Sequence, residues 1–414
     1  MDFHVRRLIC LSLALAFCWH PSESFTEERF GLIAIVDGTL SRASLPSLSY
    51  PMPDSQITAS GQGVLLASFR LTQNLALFYE GRISHVEGLS DSPLRQTYTN
   101  SVVQGYLRYS TGLPSALNVQ IGKFGHPFGQ FLTRNYPDQN PLIGVPLIYS
   151  HRTTIHADRI PSAPHELIRT QSSGPYAEYY GTGSSGDTGL PLTNFSYPTG
   201  VMAYGNTASL DYRLALINSS LANPLNLGIP GQRLQWVIGG GLTWFQRLRL
   251  GASYTEGPYL DGKVQGLLPV GTTLDDFKQK ALGLDLQYTL RHLEVQGELL
   301  FNNLRVPNIS QRLGATGYYL EFKQTLTPRL YAAMRWNQLY FDRFRDYYRS
   351  DFHPRFDNNV NSLELGIGFH ITEQMLAKTS YQYRRFLETQ SRSDDSFSLQ
   401  LVYRFDARKM FRTR

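Results

Sequence analysis

The stretch Ser396-Phe397-Ser398-Leu399-Gln400-Leu401-Val402-Tyr403-Arg404-Phe405 decides the fold. Phe397, Leu399, Leu401, Tyr403 and Phe405 share one parity; Ser396, Ser398, Gln400 and Arg404 share the other. A strand sends alternate side chains to opposite faces, so these residues make one apolar and one polar face, whereas a helix would scatter them. Val402 alone breaks the alternation. Aromatic residues stand at both ends of the apolar row and aliphatic ones in its middle, the layout of a strand that crosses a bilayer. A soluble sandwich can also have one wet face, so the weight falls on repetition.

The pattern repeats along the chain. Leu75, Leu77, Tyr79 and Ile83 alternate with Glu80 and Arg82; Leu210, Tyr212, Leu214 and Leu216 with Asp211 and Arg213; Leu248, Leu250 and Tyr254 with Arg249. In the second half Leu282, Leu284 and Leu286 oppose Asp285, and Leu330, Met334 and Trp336 oppose Arg335. Very short links (Thr72-Gln73, Phe245-Gln246-Arg247, Arg291-His292, Thr327-Pro328, Thr372-Glu373) alternate with longer polar ones (85–99, 218–232, 255–278, 304–315, 343–359, 387–394). Tight turns at one end and long loops at the other mark a transmembrane antiparallel β-barrel. With a first strand at 31–42 and a weak one near 200–206, the count is about sixteen. A strand pair within Leu142–Ile155 would raise it to eighteen.

Composition agrees. No apolar run approaches the ~20 residues of a membrane helix; the longest, Leu8 to Trp19 behind Arg6 and Arg7, reads as the core of a signal peptide spanning 1–24. Cys10 and Cys18 both lie in it, so the mature chain has no disulfide. The expected domains are therefore a signal peptide, a barrel over 25–405 and a basic tail over 406–414, placed in a bacterial outer membrane with its lipid as partner. The net charge of +6 has no clustered basic face, which argues against nucleic acid.

If the apolar faces meet lipid, Arg70, Glu80, Arg82, Arg108, Arg213, Arg249, Glu298, Glu321, Lys323, Arg335, Glu364, Lys378, Arg384 and Arg404 line the interior. A barrel of this size usually leaves an aqueous channel, and the small cationic excess implies a mild preference for anions among small hydrophilic solutes. Residues 124–199 lack period and are rich in Pro and Gly. Folded inward, this third long loop would place Lys123, Arg134, Arg152, Asp158, Arg159 and Arg169 at a constriction; folded outward it would be a lid or a binding surface. A structural or adhesive barrel whose outer loops bind a partner shares the same pattern.

His151 and His156 stand five apart without a matching third ligand, so no metal is expected. The chain has no G-x-S-x-G elbow, phosphate loop, CxxC or dinucleotide fingerprint, so neither catalysis nor a cofactor is expected.

Ile121-Gly122-Lys123-Phe124-Gly125-His126-Pro127-Phe128-Gly129 resembles a segment of phosphate-selective and related substrate-specific porins, where it ends a strand and leads into the constriction loop. The resemblance implies about sixteen strands, an inward third loop and a homotrimer. The chain departs from it in two ways: the insertion has no Lys after Lys123, and residues continue beyond Phe405.

Overall fold

The alternation closes the sheet on itself. The computed structural model describes residues 29–43, 57–88, 97–111, 117–171, 189–193, 197–223, 234–344, 354–387 and 393–407. The segment read as a signal peptide and the tail from Arg408 onward lie outside these residues.

Sixteen antiparallel strands form a closed barrel. The first five are β1 (Phe30–Ala43), β2 (Ile57–Arg70), β3 (Leu75–Gly88), β4 (Thr97–Ser110) and β5 (Asn118–Lys123). After the insertion come β6 (Thr199–Asn206), β7 (Leu210–Ile217), β8 (Gln235–Trp244), β9 (Leu248–Pro258), β10 (Lys278–Leu290) and β11 (Leu293–Leu304). The barrel ends with β12 (Leu313–Thr325), β13 (Leu330–Phe341), β14 (Val360–His370), β15 (Met375–Phe386) and β16 (Ser393–Asp406). β16 pairs with β1, with Leu399 opposite Leu40 and Arg404 opposite Ile35. Closure leaves no free sheet edge.

Most strands are longer than their apolar rows suggest, and at ~3.3 Å per residue even a tilted one crosses a ~30 Å hydrocarbon layer. Side chains of the apolar parity point outward and are exposed, among them Leu399, Leu401 and Tyr403 on β16 and Met334 and Trp336 on β13. The tightest turns use left-handed residues: Phe245 and Gln246 have φ of 50° and 55°, and Arg291 has φ of 53°. Such dihedrals match the twist of the strands they join.

Leu142–Ile155 holds no strand pair. It contains one helical turn, α1 (Leu147–Ser150), so the count stays at sixteen. A second helix, α2 (Pro164–Gln171), follows. Val402, the break in the alternation, points inward with 1% exposure. It packs with Ile33, Ile35, Val64, Leu66 and Leu376 on the inner wall and with Tyr136 and Leu142 of the insertion. The inner wall thus carries an apolar patch where the insertion rests on it.

Candidate functional site: the barrel interior and its insertion

The insertion leaves β5 through Gly122, whose φ is +133° and whose Cβ would lie 2.5 Å from the Gly105 carbonyl oxygen, so only glycine fits there. Phe124, Phe128 and Phe131 follow and are all buried. They join a large apolar cluster with inward residues of the long-loop half, including Met202, Val237, Leu300 and Leu339. Burying such side chains is worth roughly 1.5–3 kcal/mol each, which favours an inward path for this segment.

The insertion is then bonded to one strand after another. Gly129, at φ +73°, turns the chain so that the N–H groups of Gln130 and Phe131 donate to Glu298 Oε1 on β11 at 3.3 and 2.8 Å. The same carboxylate accepts from Tyr149 Oη at 2.7 Å and Tyr319 Oη at 2.9 Å. Burial and the neighbouring Glu298 push the Tyr149 phenol well above its usual range, so it stays a donor. Arg134 pairs with Glu321 on β12. Arg335 on β13, wholly buried, donates to Glu321, Glu364, Asn140 Oδ1 and the Gly144 carbonyl. Lys378 on β15 donates to the carbonyls of Pro137, Asn140 and Leu142 at 2.7–3.1 Å. Arg404 on β16 pairs with Asp138.

On the opposite wall, Tyr136 Oη donates to Glu80 Oε2 on β3 at 2.8 Å. Arg82 pairs with Glu80, lies over the Tyr136 ring and donates to Tyr197 Oη at 2.8 Å. Arg213 on β7 donates to the Gly129 carbonyl at 3.2 Å. Farther along, Leu147 N–H donates to Asn337 on β13, and Gln279 and Asn302 donate to the Leu192 carbonyl.

The charges assigned to the interior all face inward, and most are anchor points of the insertion. Arg249 instead bridges Asp211 and Asp285 within the wall, Arg108 lies over the Phe78 ring at 4.3 Å, and Lys323 pairs with Glu294 at the short-turn end. Arg70 and Arg384 also point inward.

Of the residues assigned to a constriction, Arg134 is in the interior. Lys123 is not: it shares the outward parity of Ile121, and its Nζ donates to the Val102 carbonyl. Arg159 is exposed, Arg152 forms a backbone bridge with Pro191, and the side chain of Arg169 lies outside the described residues. Asp158 is partly buried. The neutral anchors Tyr136, Asn140, Tyr149, Tyr319 and Asn337 give no charge signal; for Tyr319 and Asn337 the inward parity was the available clue. Among the described residues no group of three His, Cys, Asp or Glu side chains is placed to hold a metal ion.

Solvent exposure inside the barrel is uneven. Glu321, Arg335 and Glu364 are at most 2% exposed, because the insertion lies on the β11–β14 wall. Inward side chains that keep exposure include Ser60, Gln62, Ser68 and Arg70 on β2, Arg82 on β3 and Arg404 on β16, together with Arg134 and Asp138 of the insertion.

No protein-family model and no curated protein sequence matches the chain. Solved structures do match. The daunomycin complex of Salmonella typhi OmpF superposes with a TM-score of 0.56 at 8% identity, over 91% of this chain and 97% of that one. The anion-selective porin from Comamonas acidovorans gives 0.56 at 9% identity, over 91% and 99%. The outer membrane channel DcaP of Acinetobacter baumannii gives 0.55 at 10% identity, over 91% and 97%. At these identities what the chains share is the fold: a closed sixteen-stranded barrel of the porin kind.

Proposed function

We propose that the protein is a porin-like channel of a bacterial outer membrane, through which small hydrophilic solutes diffuse passively. The supporting observation is the uneven packing of the interior. The insertion covers the β11–β14 wall most completely and touches β1–β3, β15 and β16 at fewer points, where polar side chains of β2, β3 and β16 keep contact with solvent. The path runs along that second wall, past Arg70, Arg82 with Glu80, and Arg404 with Asp138 of the insertion, and reaches Arg134 of the insertion on its other side. Arg82, Arg134 and Arg404 are themselves paired with Glu80, Glu321 and Asp138, so the cationic excess along the passage is small and the preference for anions is mild. The fold shared with solved channels supports the reading.

A second reading, a structural barrel closed by its insertion, is favoured by the apolar cluster and by the complete burial of Arg335. One experiment separates the two. Purified protein in a planar bilayer should insert with stepwise conductance; a barrel that inserts and stays silent overturns the channel.

A further inference from the structure

Unpaired cations gather at the short-turn end of the barrel. Three neighbouring tight turns join β8 to β9, β10 to β11 and β12 to β13. Each presents one exposed arginine: Arg247, Arg291 and Arg329. Among the described residues none of the three has an ion-pair partner, and Glu294, at the same end, is already paired with Lys323 at 3.0 Å. Segments 244–248, 290–293 and 325–330 contain no acidic residue, so nothing within the turns offsets the charge. β16 finishes at this end too, at Asp406, and the sequence beyond it carries Arg408, Lys409, Arg412 and Arg414 with no further acid.

Two of the turns hold side chains that folding does not explain. Phe245 and Arg291 have φ of 50° and 53°, a left-handed conformation that costs a side chain free energy and that Gly or Asn adopts readily. Phe245 is nonetheless 92% exposed, and Arg291 is exposed as well. A strained backbone that displays an unburied side chain points to a use outside the fold.

Spacing narrows the partner. Neighbouring strands lie ~4.8 Å apart, so arginines on successive hairpins stand roughly 10 Å apart and the outer two roughly 20 Å. A small anion or a single headgroup cannot reach all three. A polymer with repeated carboxylates can, each carboxylate taking a guanidinium in bidentate geometry. We infer that the short-turn face of β8–β13 docks the carboxylate-bearing glycopeptide polymer of the cell wall. The inference rests on the membrane placement proposed above, in which short turns face the periplasm.

The test is co-sedimentation of the detergent-solubilised full chain with purified murein sacculi. Wild type should sediment with them. Arg247→Gln/Arg291→Gln/Arg329→Gln should bind about tenfold more weakly, each exposed ion pair being worth roughly twofold or a little more. Lys263→Gln, on a long loop at the other end, should bind as wild type does. Sacculi whose carboxylates have been capped as amides should not bind. Equal binding by the triple variant, equal binding to capped sacculi, or full displacement by a soluble short-chain phosphatidylglycerol (a surface for lipid phosphate) overturns the proposal. The three arginines are exposed, so the variant should fold, and its heat-modifiable migration checks this. A chain that stays soluble without detergent overturns the membrane placement and this surface with it. Planar-bilayer conductance is read on the same preparation, so a silent barrel that still sediments overturns the channel and upholds the docking surface.

Discussion

Arg335 and Glu321 stand directly opposite each other on β13 and β12, joined by two hydrogen bonds, with exposures of 0% and 2%. A buried pair of this kind adds little over an apolar pair, but removing one partner strands the other charge. Arg335→Met would leave Glu321 with Arg134 alone and Glu364 without the ion pair it makes to Arg335. The expected loss is about 3–5 kcal/mol, read as a lower guanidinium midpoint for barrel unfolding. A midpoint equal to wild type would mean that solvent reaches the pair.

Gly129 tests the docking of the insertion. A Cβ there would lie 2.4 Å from Tyr149 Oη and 2.7 Å from Glu298 Oε2, at a positive φ that side chains resist. Gly129→Ala should loosen the insertion, raise single-channel conductance and expose Arg134 to trypsin. Gly105→Ala, where no atom lies within 4 Å, is the control. Equal trypsin resistance in both variants would show that Gly129 does not hold the segment.

His126 predicts a pH dependence. Burial first, and then nearby Arg213, push its pKa down to about 4. Phe128 N–H donates to its Nδ1, and Nε2 lies 3.3 Å from the Gln235 amide, so the neutral ring is built into the fold. The unfolded chain, with a pKa near 6.5, binds the proton first. Stability from this group is complete above pH ~6.5 and is lost as pH falls towards about 4, by roughly 3 kcal/mol in all. His126→Gln should flatten that part of the midpoint-against-pH curve. An unchanged slope would assign the pH dependence to other groups.

On the proposed path, ion preference rests on few residues. Arg82→Glu with Arg404→Glu reverses two charges on the solvent-exposed wall, each worth about 1 kcal/mol under water-like screening, or roughly fivefold in the anion-to-cation permeability ratio. The reversal potential in a salt gradient should move towards cation preference. If it stays put, the path runs elsewhere in the barrel.

The strands and their closure were legible because an apolar outer face and a polar inner face enforce a period of two. Val402 shows the limit of that rule. An inward apolar residue looks like an error in the alternation until Leu142 and Tyr136 are seen resting near it. The bounds of the insertion were legible from its lack of period, but its contacts with the wall were not. Its residues are buried by the wall they meet rather than by a face of their own, so Phe131 or Tyr149 carries no periodic signal. Lys123 misled for a related reason: its charge drew attention, while its parity with Ile121 placed it outside.

The links to Arg404 and Val402 bear on assembly. Both belong to the strand that completes the ring, and both meet the insertion from inside. Lys378, one strand earlier, holds three of its carbonyls. An insertion gripped by the closing strands cannot readily be threaded in after the seam between β1 and β16 has zipped. The polypeptide would have to wrap its wall around a segment already in place, so release into the bilayer and filling of the lumen become one event.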